Sequence, residues 1–340
     1  GTTPDHIRQI RRAVSSVSAG SAARARRAGG AEAGAAPAVT PVPREEKSRL
    51  ANALARGAFV RLVSVIPPKG HRLDELIEQA RLLRIRGVDV LQVSDAKTGT
   101  RMSGLSAAVL VQQQTGIETL LNYTCRDHRL LAMQSDLLGA HAMGVRNLLI
   151  TTGDPQRLGE FQDATLVFDV DSIGLTNVVT RLNRGSDIGG QPVAPPTAFH
   201  VGVAVNPSAL NLDEEVRRLR YKEEAGAEFV VTHPVFDPAD LQAFLARAGG
   251  VSVPIIACVR PMEDARRAEA LANEVPGVRV PAAYVQRLLD AEAQGRAAEE
   301  GVAIAREVAR GLRPMVQGLQ VAVPPARLAA AMDVLAALDE

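Results

Sequence analysis

Eight short apolar runs recur along this chain, each followed by a polar loop and then an amphipathic stretch. The runs cover residues 59–65, 88–93, 118–123, 147–151, 199–205, 229–232, 254–259 and 316–321, and they are rich in Val, Ile and Leu. Continuous apolar runs of this length suit strands buried on both faces. The amphipathic stretches cover 73–86, 103–115, 127–142, 172–183, 212–225, 238–248, 264–273 and 325–338, with extra helical material at 276–310 before the last run. Strand and helix in alternation imply a parallel sheet, because each parallel crossover needs a connection that is usually a helix. Gly87, Gly144 and Gly226 stand just after helical stretches, where a left-handed cap ends a helix before the next strand. Eight such units in about 290 residues favour a single closed (β/α)8 TIM barrel over an open doubly wound sheet. In such a barrel the chemistry sits on the loops after the strands. The residues to weigh therefore lie at 64–70, 94–101, 124–127, 151–159, 206–208, 233–237, 260–264 and 324.

Residues 1–46 break the pattern. Ala, Gly, Arg, Ser and Pro dominate there, with seven Arg against four acids. Residues 29–42 within them show no strong periodicity, so 1–46 is expected to be a flexible extension and 47–340 the barrel domain. The extension lacks the apolar core of a secretory signal, and no apolar run approaches the ~20 residues that span a bilayer. Lys+Arg 39 against Asp+Glu 38 gives a formal charge of +1, too even a balance for a nucleic-acid binder. The two cysteines, Cys125 and Cys258, form no CxxC pair, and there is no HxH or HExxH for a metal. A reducing cytoplasm is the expected compartment. With no Trp and 3% aromatic residues, the core is expected to be built from Ala, Val, Leu and Ile.

Several rim segments carry chemistry. Thr151-Thr152-Gly153-Asp154-Pro155 follows the fourth run. Gly153 allows close backbone approach to a ligand, and Asp154 stands at the rim as acceptor or charge; an Asp that initiates an Asp-Pro turn explains the same letters equally well. Thr124-Cys125-Arg126-Asp127 follows the third run. Asp127 is placed to N-cap the next helix, Arg126 carries a guanidinium suited to a phosphate, and Cys125 lacks a base partner for a nucleophilic role. Glu214, Glu215, Arg218 and Lys222 share one helix; Glu215–Arg218 and Arg218–Lys222 fall at the i,i+3 and i,i+4 spacings usual in a solvated charged face. A phosphate-directed Lys222 is the rarer reading. His233 ends the sixth run; a rim His can be acid, base or donor, although a lone His is more often structural. No Walker A signature occurs, and no GxGxxG follows a strand to open a helix, so a Rossmann cofactor site is not expected.

Taken together, the segments Val65-Ile66-Pro67-Pro68-Lys69-Gly70, Arg101-Met102-Ser103, Asn122-Tyr123-Thr124-Cys125-Arg126-Asp127, Thr152-Gly153-Asp154-Pro155, Phe168-Asp169-Val170-Asp171-Ser172 and Pro234-Val235-Phe236-Asp237 resemble the methylenetetrahydrofolate reductase family. The run 133–142 and the segment 273–277 fit as well. The likeness extends from about residue 59 to 337 and is nearest to the reductase half of bifunctional homocysteine methyltransferase–reductase proteins. It implies a barrel holding FAD non-covalently, NAD(P)H as co-substrate, and hydride transfer to the one-carbon bridge of 5,10-methylenetetrahydrofolate to give 5-methyltetrahydrofolate. By the same likeness Asp154 contacts the pterin near the flavin, Lys222 and Glu215 bind FAD, and Ser94 holds the rim position after the second strand. A small-molecule folate is the implied partner, and a homo-oligomer or partner protein stays open.

The departures from the family pattern gather at the rim. The Glu that the family places three residues before Pro67-Pro68, as acid for the folate nitrogen, is Ser64 here. The flavin-contacting His is Asn122, the folate-contacting Gln is His233, and Arg218 stands where some members have Asn. Serine is a poor general acid at neutral pH, and losing such an acid typically costs ~10²–10⁴-fold in rate. The working reading is a reductase that takes its proton from His233 or from a water held by Ser64. The alternatives are a flavin-free folate-dependent methyltransferase or demethylase component and a non-catalytic folate-binding subunit.

Overall fold

The computed structural model describes residues 40–94, 100–153, 167–275 and 277–339. A compact unit spans Pro41–Glu340; residues 1–39, most of the expected extension, lie outside the described residues. Eight parallel strands, β1 (Val60–Val65), β2 (Val90–Val93), β3 (Glu118–Thr124), β4 (Asn147–Thr151), β5 (His200–Val205), β6 (Phe229–Pro234), β7 (Ile255–Val259) and β8 (Gly318–Ala322), close into one barrel in chain order. The closing pair is β8 with β1, where Val60 lies opposite Gly318. The helices between them are α2 (Asp74–Ile85), α3 (Gly104–Thr115), α4 (Leu130–Ala142), α5 (Ser172–Asn183), α6 (Leu212–Glu224), α7 (Pro238–Ala248), α8 (Ala265–Glu274), α9 (Ala282–Glu292) and α10 (Ala297–Leu312), with α11 (Leu328–Ala336) after β8. The extra helical material expected at 276–310 is α9 and α10.

Alternation along each strand divides the side chains between two cores. Outward residues such as Val63, Val65, Leu91, Val93 and Leu121 pack beneath the helices. Inward residues Leu62, Val90, Leu120, Leu149, Phe229 and Ile256 fill the barrel, together with Leu50 and Leu54. Those two leucines belong to a further helix, α1 (Arg49–Ala55), which plugs the N-terminal mouth. Ser48 caps it, accepting from the Ala51 amide at 2.9 Å while donating to Asn147 Oδ1 at 2.6 Å. The Glu118 carboxylate, at the start of β3, accepts the Arg49 and Leu50 amides at 3.1 and 3.2 Å and the Asn147 amide at 2.5 Å. A seven-residue helix shows too little periodicity to stand out from a sequence, and the apolar pattern does not mark this one.

The strand register stacks the inward residues. Advancing two residues for every two strands returns to the starting residue after a full circuit, so each layer takes four residues from alternate strands. One middle layer is wholly apolar, made of Leu62, Leu120, Gly202 and Ile256. Gly202 is required there, because a Cβ would lie 2.3 Å from the Phe229 ring, which itself stacks on His200 at 4.5 Å between centroids. Above them comes a layer of Gln92, Leu149, Val231 and Gln320, then one of Ser64, Asn122, Ala204 and Cys258. Ser94, Thr151 and Ala322 stand topmost, at the C-terminal rim, and the register shift of β6 between Val231 and Pro234 takes His233 out of this regular stacking.

Two local expectations are corrected. Asp127 does not cap the helix after β3. It sits at φ +65° in a turn, α4 starts three residues later behind Arg129, and the Leu130 amide is taken by Asp169 Oδ2 at 2.7 Å. The pairing of the Arg126 amide with the Thr152 carbonyl, and of the Asp127 amide with the Val167 carbonyl, ties the chain to the β4 loop first. The sixth strand also runs two residues past the expected 232, with a register shift between Val231 and Pro234 that carries His233.

Candidate functional site

The polar rim is assembled from strand ends that arrive singly. Ser64 at the end of β1 and Ser94 after β2 meet with hydroxyl oxygens 2.8 Å apart. Ser64 is buried and Ser94 half-buried. Beside them on β3, Asn122 Oδ1 accepts the Thr151 hydroxyl of β4 at 3.0 Å. His233, exposed at the end of β6, lies across the mouth from Ser64, three strands round the barrel. The structure thus joins Ser64 with Ser94 and leaves His233 on the opposite wall. Asp154 and the rest of the segment 154–166 lie outside the described residues.

Arg126 is buried after β3, its Nε 3.1 Å from Asp127 Oδ2. Gly153, at φ +91°, does make a close approach, but to protein: a Cβ there would lie 2.7 Å from the Arg126 Cβ and 3.4 Å from that of Thr124. The glycine is explained by packing of the β3 and β4 loops rather than by a ligand. Cys125 is fully buried, and desolvation pushes its thiol up to about 12, which removes it as a nucleophile.

Glu215, Arg218 and Lys222 stand in a row on α6, which faces the end of β5. Glu215 Oε1 accepts the Asn206 amide at 3.0 Å. Arg218 reaches Asp171 Oδ2 at 3.1 Å. Asp171 also caps α5, accepting the amides of Ile173 and Gly174, and its carboxyl is held below its usual value; burial opposes that lowering, while the Gly174 amide and Arg218 outweigh it. Lys222 is 5% exposed and donates to the Ala204 carbonyl at 2.7 Å. Its burial lowers the ammonium pKa, against which Glu215 acts in the opposite sense. The row therefore stitches α6 to β5 and to the start of α5. A solvated charged face, the bland expectation for this helix, does not describe Lys222.

Two rim residues escaped the motif reading. Gln92 in Val90-Leu91-Gln92-Val93 and Gln320 in Gly318-Leu319-Gln320-Val321 point into the barrel one layer beneath Ser64. A lone glutamine inside an apolar strand was the available signal, but only the register shows that both face inward. Among the described residues no group of three or more His, Cys, Asp or Glu side chains is placed to hold a metal, and no helix is long and apolar enough to cross a membrane.

Comparison with known proteins places this geometry. The family model for methylenetetrahydrofolate reductase matches residues 49–321, from the plug helix to β8. Methylenetetrahydrofolate reductase 1 of Schizosaccharomyces pombe is 25% identical over 60% of this chain and 32% of its own length. The 5,10-methylenetetrahydrofolate reductase of Escherichia coli is 24% identical over 68% of this chain and 74% of its own. The chain spans about a third of the length of the eukaryotic relatives from S. pombe and Oryza sativa. Among solved structures, an uncharacterised Clostridium thermocellum protein that binds two copies of 5-methyl-5,6,7,8-tetrahydrofolic acid superposes with a TM-score of 0.62, at 15% identity, covering 85% of this chain and 97% of that one. The coenzyme F420-dependent tetrahydromethanopterin reductase of Methanopyrus kandleri gives 0.54 at 12% identity, covering 82% and 97%. Those two likenesses establish the shared barrel fold. With the family model matching residues 49–321, well over half of the sequence, the chain belongs to the methylenetetrahydrofolate reductase family.

Proposed function

We propose that this chain is a folate oxidoreductase that converts 5,10-methylenetetrahydrofolate to 5-methyltetrahydrofolate, with NAD(P)H as the source of hydride. The observation that carries the reading is the polar cup at the top of a family barrel: Ser64, Ser94, Asn122 and Thr151 occupy the two layers next to the rim, His233 is exposed at the same mouth, and Gln92 and Gln320 lie one layer beneath. In this fold ligands enter at that face. The F420-dependent reductase and the methyltetrahydrofolate-binding protein named above share the architecture, which supports a reduced pterin as the occupant.

The reaction needs one hydride and one proton. Protonation of the bridging folate nitrogen opens the one-carbon bridge, and hydride then adds to the carbon, leaving a methyl group and oxidised nicotinamide. Ser64 stands where the family has its acid; with its hydroxyl already paired to Ser94, it can orient a water but is no general acid. His233 is exposed at the mouth, and imidazole is the side chain suited to give a proton near neutrality. We assign the proton to His233.

The family carries hydride on FAD, and the residues of this chain fit a dinucleotide poorly. Lys222, the expected phosphate cation, is buried against the Ala204 carbonyl, while Glu215 and Arg218 are engaged by Asn206 and Asp171. The test is an anaerobic assay of the purified chain with 5,10-methylenetetrahydrofolate and NADH or NADPH, after desalting and with a visible spectrum recorded. Formation of 5-methyltetrahydrofolate in step with nicotinamide oxidation supports the reading. Binding of folate without turnover would move the chain to a binding role.

A further inference from the structure

Gln92 and Gln320 are buried polar side chains, each 4% exposed, and each amide oxygen has no hydrogen-bond partner among the described residues. Such atoms are unusual in a folded interior, where a buried acceptor normally finds a donor. Both belong to one layer of the barrel, on the two strands that flank β1, and Ser64 lies in the layer above them. Their neighbours in the layer, Leu149 and Val231, offer no polar group. Their amide nitrogens lean toward the rim on long contacts: Gln92 Nε2 lies 3.3 Å from Ser94 Oγ, and Gln320 Nε2 lies 3.5 Å from Cys258 Sγ. Both bonds are weak, and the terminal torsion of a glutamine is soft, so either amide can turn with little loss.

Two acceptors without a partner among the described residues, in one layer beneath a polar cup, are complementary to a ligand edge that carries two or more N–H donors. We infer that Gln92 and Gln320 form the floor of the site and select its ligand by accepting hydrogen bonds from the amino and ring N–H groups of a reduced pterin. The inference rests on the folate reading above and adds to it the two residues that read the ring.

The test compares the full chain with Gln92→Met and Gln320→Met, which keep length while removing the amide. Binding of 5-methyltetrahydrofolate is measured by calorimetry, with p-aminobenzoylglutamate as a probe that has the tail and no pterin, and the melting temperature of each ligand-free protein is recorded. Each substitution is expected to weaken 5-methyltetrahydrofolate binding about tenfold, since a ligand donor is then buried without a partner, and to leave tail binding unchanged. The ligand-free variants are expected to melt at the same temperature or higher, because an unpaired buried acceptor has been replaced by an apolar group. A melting temperature lowered by several degrees assigns the glutamines a structural role and overturns the inference. Gln92→Leu and Gln320→Leu repeat the measurement should the longer side chain crowd the layer. Wild-type affinity retained in the variants overturns the inference and leaves the folate reading standing. No binding of 5-methyltetrahydrofolate by the wild-type chain removes both.

Discussion

At the scale of single residues, the family resemblance sets Ser64 where a carboxylic acid is expected. A carboxylic acid can both donate a proton and hold a charge, whereas Ser64 can only hydrogen-bond, and its neighbour Ser94 already takes that bond. If His233 supplies the proton, His233→Ala lowers turnover by about 10²–10⁴-fold, while Ser64→Ala costs less; steady-state kcat values for the two variants give the order, and the reverse order would place the acid on β1. Lys222 yields a different expectation. Lys222→Met removes the donor to the Ala204 carbonyl in a buried setting, so stability falls by about 1–3 kcal/mol in urea titration with folate affinity unchanged. A variant of full stability that loses cofactor binding would instead return Lys222 to the phosphate role that the family resemblance implies. Residue roles of this kind were only partly legible in the sequence. Glu215, Arg218 and Lys222 read as a charged face by spacing alone, because spacing cannot say that α6 turns Lys222 toward β5. Gln92 and Gln320 were invisible as a pair, because they lie 228 residues apart in sequence and meet only through the barrel register.

At the scale of elements, the strands and the left-handed glycines Gly87, Gly144 and Gly226 after three helices were legible, and the N-cap of α4 was not. Parallel strands buried on both faces are continuous apolar runs, so all eight stand out, and the helices between them follow from their period. Helix starts depend on which acceptor reaches an orphan amide first. Asp127 had the right place in sequence to cap α4, but the β4 loop holds it at positive φ, and Asp169, from the segment leading to α5, takes the amide instead. The plug helix α1 is the element that sequence pattern missed altogether. Its two leucines are deeply buried, at 1% and 4% exposure, in the mouth opposite the site. Leu50→Ala is therefore expected to destabilise the fold by about 2–5 kcal/mol, measured by chemical denaturation, without altering folate affinity in the folded protein. An unchanged midpoint would mean that α1 is dispensable to the barrel.

At the scale of the whole molecule, the barrel has a plugged N-terminal mouth below and a polar cup at the C-terminal rim above. The lower half also sets an acid limit. His200 is fully buried at the start of β5, with both ring nitrogens unpaired among the described residues, and burial, reinforced by Arg44 and Lys47, holds its pKa well below the usual value. His141, whose Nε2 accepts the Ala198 amide at 2.9 Å, is pushed down to about 4, mainly by burial. Both are neutral when folded and take a proton more readily when unfolded. Their contribution to stability is thus complete above the ordinary histidine pKa of about 6.5 and is lost as pH falls below it. Denaturation midpoints are expected to fall between pH 7 and pH 4, and His200→Leu should flatten that dependence; an identical slope in the variant would remove His200 as its source.

The reaction proposed for this barrel is reduction of a folate one-carbon bridge. The most direct measurement follows 5-methyltetrahydrofolate formation from 5,10-methylenetetrahydrofolate and NADH or NADPH by the desalted chain, with and without added FAD. Product formed in equal amount to the nicotinamide oxidised is the predicted result. No product with either nucleotide, whether or not FAD is present, would exclude the proposed reduction.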